Sequence, residues 1–292
     1  MEQFHINKLV VVGVGLIGGS VAAALRNAGA VGRVVGIGRG RANIERALAL
    51  GVIDEVSQDL QLAAQDADVV IVCVPVQQAA AVLEGLRGAL HSGMIVTDAG
   101  STKRDFIAKA RTLLGERARN VVPGHPIAGA ELTGVDAASP TLFVGKRVVL
   151  TPMPESDSGA VARVEALWRA CGAQVTRMDA EHHDRVFSAV SHLPHVLAYA
   201  LVGMIASRSN ADELFSFAAG GFRDFTRIAG SSPEMWRDIC LANRELVVAD
   251  IQAFQNALSA LADQMRAGDA AALDSWFDAA RRAREAWIDG TR

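Results

Sequence analysis

One run near the start, Val10-Val11-Val12-Gly13-Val14-Gly15-Leu16-Ile17-Gly18-Gly19-Ser20, constrains this chain more than any other. A β-branched stretch predicts a strand and the alanine-rich residues after it predict a helix, so a GxGxxG pattern falls on a strand-to-helix turn. There Gly13 permits the tight turn, Gly15 lets backbone approach a pyrophosphate, and Gly18 lets the helix pack close to the strand. The helix N-terminus then faces the anion, with Leu16 and Ile17 beside it. A glycine-rich turn that holds no nucleotide is the bland alternative.

The wider pattern agrees with a nucleotide fold. Over the first ~180 residues, short β-branched runs alternate with helical patterns, which predicts α/β architecture with a parallel sheet and crossover helices. The runs are 9–12, 33–37, 68–74, 94–98, 120–122, 147–151 and 174–178. The first of them are apolar with little alternation, as strands covered on both faces should be. After Met178 no strand pattern remains, and Ala, Leu, Arg and Glu dominate. We therefore expect a Rossmann-type dinucleotide-binding domain over residues 1–180 and an all-helical domain over 181–292. In the second, Pro233 suits the first turn of a long helix running towards Met265, capped by Ser231 or Ser232. Gly268 should break that helix and Asp269 should cap the last one. So few apolar helices make a thin core alone, so a homodimer through this half is expected.

Half of the 292 residues are hydrophobic and the net charge is −3. That balance argues for a folded core and offers neither nucleic acid nor an anionic membrane an electrostatic handle. Cys73, Cys171 and Cys240 are dispersed, with no CxxC pair, which fits reduced thiols and a cytoplasmic setting. The apolar stretch 9–25 is broken by glycines and has no basic leader, and no run reads as a membrane span.

Several residues carry candidate chemistry. The acid expected ~20 residues beyond the glycine loop to hold a ribose is absent. Gly38 stands about where it would be, followed by Arg39 and Arg41. Arginines there could pair with a 2′-phosphate, which leans towards NADP over NAD; solvated loop charges are the alternative. Val74-Pro75 and Asp98-Ala99-Gly100-Ser101 end strands, where ligands of open α/β sheets bind. Ser101 could equally cap the helix beginning at Thr102-Lys103, whose N-terminus favours an anion. In Gly124-His125-Pro126-Ile127-Ala128-Gly129-Ala130-Glu131, a histidine follows a strand, and a neutral imidazole can take the proton an alcohol loses on oxidation. A structural turn histidine is the alternative. Ser191-His192-Leu193-Pro194-His195 sets two histidines around a proline that should kink its helix; HxxH alone, without HExxH or cysteines, does not predict metal. His182-His183 reads as a solvated helix start. Finally, Arg223 and Arg227 sit in a glycine-bounded segment and could hold a carboxylate or a surface salt bridge.

Taken together, Gly15–Ser20 (GLIGGS), Asp98–Lys103 (DAGSTK), Gly124–Glu131 (GHPIAGAE), Ser191–His195 (SHLPH) and Gly220–Gly230 (GGFRDFTRIAG) resemble the prephenate/arogenate (cyclohexadienyl) dehydrogenase family. The resemblance implies a nucleotide-binding domain followed by a helical dimerisation domain. It implies that His125 polarises a ring hydroxyl while hydride leaves the same carbon, and that Ser101 orients that hydroxyl and the histidine. It also implies substrate contacts from Arg227, His195, His192, Gly129 and Ala130. Cofactor contacts are expected from Gly13, Gly15, Leu16, Ile17, Gly18, Arg39, Val74, Pro75 and Ser101. Leu132-Thr133 departs from the Lys-Ser often found there in that family.

The nearest rival is a β-hydroxyacid-type dehydrogenase, which should use a lysine of the helical half; residues 181–292 contain none. A non-catalytic nucleotide sensor would keep the glycine loop without needing His125 and Arg227 together. We expect no mutase-like segment before the first strand and no appended regulatory domain after Trp287.

Overall fold

Residues 4–129 and 132–290 are described by a computed structural model. The sheet begins with the strand that precedes the glycine loop, β1 (Ile6–Val12), followed by helix α1 (Leu16–Asn27) and β2 (Val31–Ile37). With α2 (Arg41–Ala49), β3 (Glu55–Val56), α3 (Leu60–Ala64), β4 (Val69–Val72), α4 (Ala79–Leu86), β5 (Ile95–Asp98), α5 (Arg104–Leu114) and β6 (Val121–Val122) they build an all-parallel sheet of six strands. Its order is β3-β2-β1-β4-β5-β6, so the strand order reverses between β1 and β4 and opens a crevice at their carboxyl ends.

Alternation along these strands covers both faces. Leu9 and Val11 of β1, with Val69 and Ile71 of β4, enter one core, while Val10, Val12, Val70 and Val72 enter the other. Successive strand side chains point to opposite faces, so an unbroken apolar run is what a doubly covered sheet requires.

A second, three-stranded sheet follows: β7 (Gly124–Pro126), β8 (Arg147–Leu150) and β9 (Gln174–Arg177), with α6 (Ser158–Ala170) between the last two. β7 runs antiparallel to β8 and pairs His125 with Val149. The sequence reading placed His125 in a turn after a strand; it lies instead on a strand of this second sheet. Three residues, one a glycine and one a proline, carry too little pattern to show that pairing.

The helical half begins with α7 (Ala180–Phe187), a π-type turn over Ser188–His192 and α8 (Leu193–Ala206). Pro194 supplies no N–H to the preceding turn, and the widened turn absorbs the misfit where a kink was expected. By length and mean hydropathy (1.5), the stretch Ala180–Ala206 could cross a membrane, against the expectation that no segment would. Its first half, however, carries His183, Asp184 and His192, all buried in polar contacts.

After α9 (Ala211–Ser216) and α10 (Gly220–Thr226), α11 (Pro233–Ala242) opens at Pro233 with Ser232 Oγ accepting from the Met235 N–H. The single long helix expected to reach Met265 is two. Asn243 leaves helical geometry between α11 and α12 (Arg244–Ala267), its side chain drawn into the interior to bond Asp184 and His192. Gly268 adopts φ +64° and Asp269 caps α13 (Ala270–Gly290), as read from the sequence.

The chain divides into two compact units, one ending at Arg244 and the other, α12 with α13, beginning at Glu245.

Candidate active site

The glycine loop has the shape its spacing requires. Gly13 lies at φ +97°, and a Cβ there would meet the Cys73 carbonyl oxygen at 2.4 Å. A Cβ on Gly18 would strike the Gly13 carbonyl oxygen at 2.3 Å, so α1 packs closely on the loop only with glycine. Gly15 is different: nothing lies within 4 Å of the added carbon, so its backbone faces open space. No side chain caps α1 and no acid occupies its first turn, leaving its N–H groups available to a phosphate. These features fit a dinucleotide pyrophosphate. Beside the loop, Val74 and Pro75 follow β4 and lead into the turn Val76–Gln78. At the end of β2, Gly38 carries no carboxylate and Arg39 is exposed. Arg41, the other arginine weighed for a 2′-phosphate, is engaged with Glu45 at 2.7 Å.

Next along the sheet edge, β5 ends at Asp98. The Asp98 carboxylate accepts from the Gly100 and Gly124 N–H groups (2.8 and 3.1 Å) and from Lys103 Nζ at 2.5 Å. Lys103, fully buried, also donates to the Gly124 carbonyl at 2.6 Å. Burial raises the Asp98 carboxyl pKa and lowers that of the Lys103 ammonium, and their contact opposes both shifts. Three donors converging on Asp98 suit the ionised form. The pair thus ties the end of β5 to the strand that carries His125.

Four histidines gather beyond it. His125 Nδ1 lies 2.9 Å from His183 Nε2, and His183 Nδ1 lies 2.8 Å from Asp184 Oδ1. Phe187 packs against both rings, with centroids 4.7 and 4.5 Å away. Burial, then the charges of His183, Lys103 and His192, hold the half-buried His125 well below the usual imidazole range. His192 Nδ1 accepts from Asn243 Nδ2 at 3.2 Å, so its proton sits on Nε2. Burial lowers its pKa to about 4, with Asp184 and the Ser101 backbone opposing the fall. His195 stacks on Trp236 at 3.6 Å between centroids and donates from Nδ1 to the Ser191 carbonyl. Burial lowers its pKa too, and the nearby Arg227 charge adds to the shift.

The structure therefore brings together His125, His192, His195, the Ser101 backbone and the Arg227 charge. Ser101 is not the cap of α5. That role falls to Asp184, whose two oxygens accept from the Lys103 and Arg104 N–H groups (2.8 and 2.9 Å), so the anion favoured by this helix N-terminus comes from α7. Gly129 is exposed, and Ala130 lies outside the described residues. Among the described residues no cluster of three metal-ligating side chains occurs. His183, read as a solvated helix start, is fully buried, whereas His182 is exposed. Phe187, one turn on from His183, was the available signal: i and i+4 share a helix face, and a phenylalanine marks that face as the buried one. Asp184, Trp236 and Asn243 were also missed, because nothing local marks them.

A glycine loop at the switch point of a parallel sheet, with a neutral histidine near its carboxyl edge, defines a nucleotide-binding dehydrogenase. The chain belongs to the prephenate dehydrogenase family: residues 21–177 match the family's nucleotide-binding domain and residues 179–279 its dimerization domain. It is 35% identical to the cyclohexadienyl dehydrogenase of Zymomonas mobilis, over 94% of both chains. It is 36% identical to the prephenate dehydrogenase of Bacillus subtilis, over 95% of this chain and 75% of that one. Among solved structures, prephenate dehydrogenase from A. aeolicus in complex with hydroxyphenyl propionate and NAD+ superposes with a TM-score of 0.90. Its identity is 35%, over 97% of this chain and 99% of that one.

Proposed function

We propose that this chain oxidatively decarboxylates prephenate, arogenate or both, with His125 as proton acceptor, in tyrosine biosynthesis. Family membership gives the reaction class. The observation that carries the residue assignment is His125 itself, kept neutral beside the carboxyl ends of β5 and β6 and braced by His183.

A bound nicotinamide would supply the hydride acceptor for the ring carbon that carries the hydroxyl. Gly13, Gly15 and Gly18, with Leu16 and Ile17 at the head of α1, would hold the cofactor's pyrophosphate, and Val74, Pro75 and Ser101 would line its path. His125 takes the hydroxyl proton as that carbon becomes a carbonyl, and Ser101 orients the two. The ring carboxylate then leaves as carbon dioxide; its bonding electrons complete the aromatic ring, and the phenol oxygen retrieves the proton. Aromatisation drives the step, so the protein chiefly has to position reactants and hold a proton. Arg227 pairs with a substrate carboxylate, and His192, His195 and Gly129 complete the pocket. A sensor without catalysis has no use for this neutral histidine cluster.

Gly38 and the unpaired, exposed Arg39 support NADP, although the A. aeolicus relative was crystallised with NAD+. We place the domain boundary near residue 180, close to where the two family matches meet at 177 and 179. The exposed apolar side chains Phe217, Phe225, Val248, Leu258 and Trp287 support a homodimer, which light scattering checks: a mass near 30.8 kDa at micromolar concentration refutes it. Three free cysteines support a cytoplasmic setting.

The deciding experiment follows absorbance at 340 nm with prephenate and arogenate crossed against NAD and NADP. Reduced cofactor in any combination supports the reading and sets both preferences; silence in all four, from folded protein that binds nucleotide, refutes it.

A further inference from the structure

We infer that His183 and Asp184 are positioning residues that decide which nitrogen of His125 carries the proton and which is left as the acceptor. The inference rests on the reading of His125 as proton acceptor, and follows from the order in which three side chains are bonded.

Asp184 is at the closed end. Its side chain is buried, and its oxygens accept from the Lys103 and Arg104 N–H groups as well as facing His183 Nδ1. Burial disfavours its charge, but the hydrogen bonds from His183, Arg104 and Lys103 outweigh that and hold its pKa below the ordinary carboxyl value. An ionised carboxylate only accepts. The proton in the 2.8 Å contact therefore sits on His183 Nδ1.

Burial also lowers the His183 pKa, so the ring is neutral and its Nε2 is a bare lone pair. That lone pair faces His125 Nδ1 at 2.9 Å. Two lone pairs at this distance repel, and fully buried His183 has no solvent to turn to. Hence His125 carries its proton on Nδ1, donates it to His183, and presents Nε2 as an acceptor. Without the dyad, neutral imidazole is free to protonate Nε2, and a molecule in that form cannot take a hydroxyl proton there. The groups around this chain are Lys103 and His192 at His125, and Lys103, Asp98 and Asp184 at His183; none is placed to reverse the order.

Long-range proton–nitrogen NMR on histidine-labelled full-length protein at pH 7.5 reads the tautomer directly, with His125 assigned by its loss in His125→Asn. The expected spectrum has Nδ1 protonated and Nε2 bare. His183→Phe, which keeps an aromatic ring but no acceptor, should admit the other tautomer and lower kcat on the order of 10–100-fold, with KM unchanged. His183→Gln, whose amide oxygen still accepts, should recover part of the loss. Nε2–H in the wild type, or an unchanged His125 tautomer in folded His183→Phe, overturns the inference. If the wild-type tautomer is as expected while His125→Asn retains turnover, the positioning stands and the catalytic reading fails.

Discussion

At the residue scale, the histidines owe their chemistry to where their protons are held. His125→Asn removes the proposed acceptor and should lower kcat by roughly 10²–10⁴-fold, with melting temperature and cofactor affinity near wild type; unchanged turnover removes His125 from the mechanism. Arg227→Ala should act on the substrate's KM and leave kcat comparatively unaffected, because a carboxylate clamp contributes equally to ground and transition states. A wild-type KM refutes that role. His125 and Arg227 stand out in the sequence as candidates because each lies in a motif bounded by glycine or proline. His183 was not, since its meaning depends on Asp184 behind it and His125 across the fold.

At the scale of elements, the three glycines of the loop do different work, and substitution separates them. Gly18→Ala drives a carbon into the Gly13 carbonyl, so it should lower the melting temperature as well as cofactor affinity. Gly15→Ala has open space and an ordinary backbone (φ −108°), so the fold should be untouched while the pyrophosphate is pushed away. Calorimetry and thermal melting on both variants test this; equal melting losses would show that Gly15 is structural. The helix read from Pro233 to Met265 illustrates the opposite limit. Its local pattern is continuous, and it breaks at Asn243 because that side chain satisfies buried groups on α7 and the adjoining turn.

For the whole molecule, the histidine cluster makes stability depend on pH in a defined window. Folding lowers the proton affinity of His125, His183, His192 and His195, in each case mainly through burial. The unfolded chain binds those protons at the ordinary imidazole value near ~6.5. Below that value it holds more protons than the native state, so stability present above it falls as pH drops towards about 4, where His192 titrates in the fold. The melting temperature should therefore decline from pH 7.5 to 5, before ordinary carboxylates take up protons. A flat profile over that range would show that these imidazoles do not stay neutral in the native state.

The sequence by itself determined the doubly covered parallel sheet, the glycine loop with its tight turn at Gly13 and close packing at Gly18, the helical second half, and the motifs that mark the family. These rest on interactions between residues close in the chain: alternation along a strand, periodicity along a helix, and backbone freedom at a turn. Only the tertiary structure decided that His125 sits on a strand of a second sheet, that Asp184 caps a helix some eighty positions earlier (|i−j| of 80 and 81), and that Asn243 ends α11. Each of those is a buried polar group choosing a distant partner once water is excluded, a choice that no local pattern records.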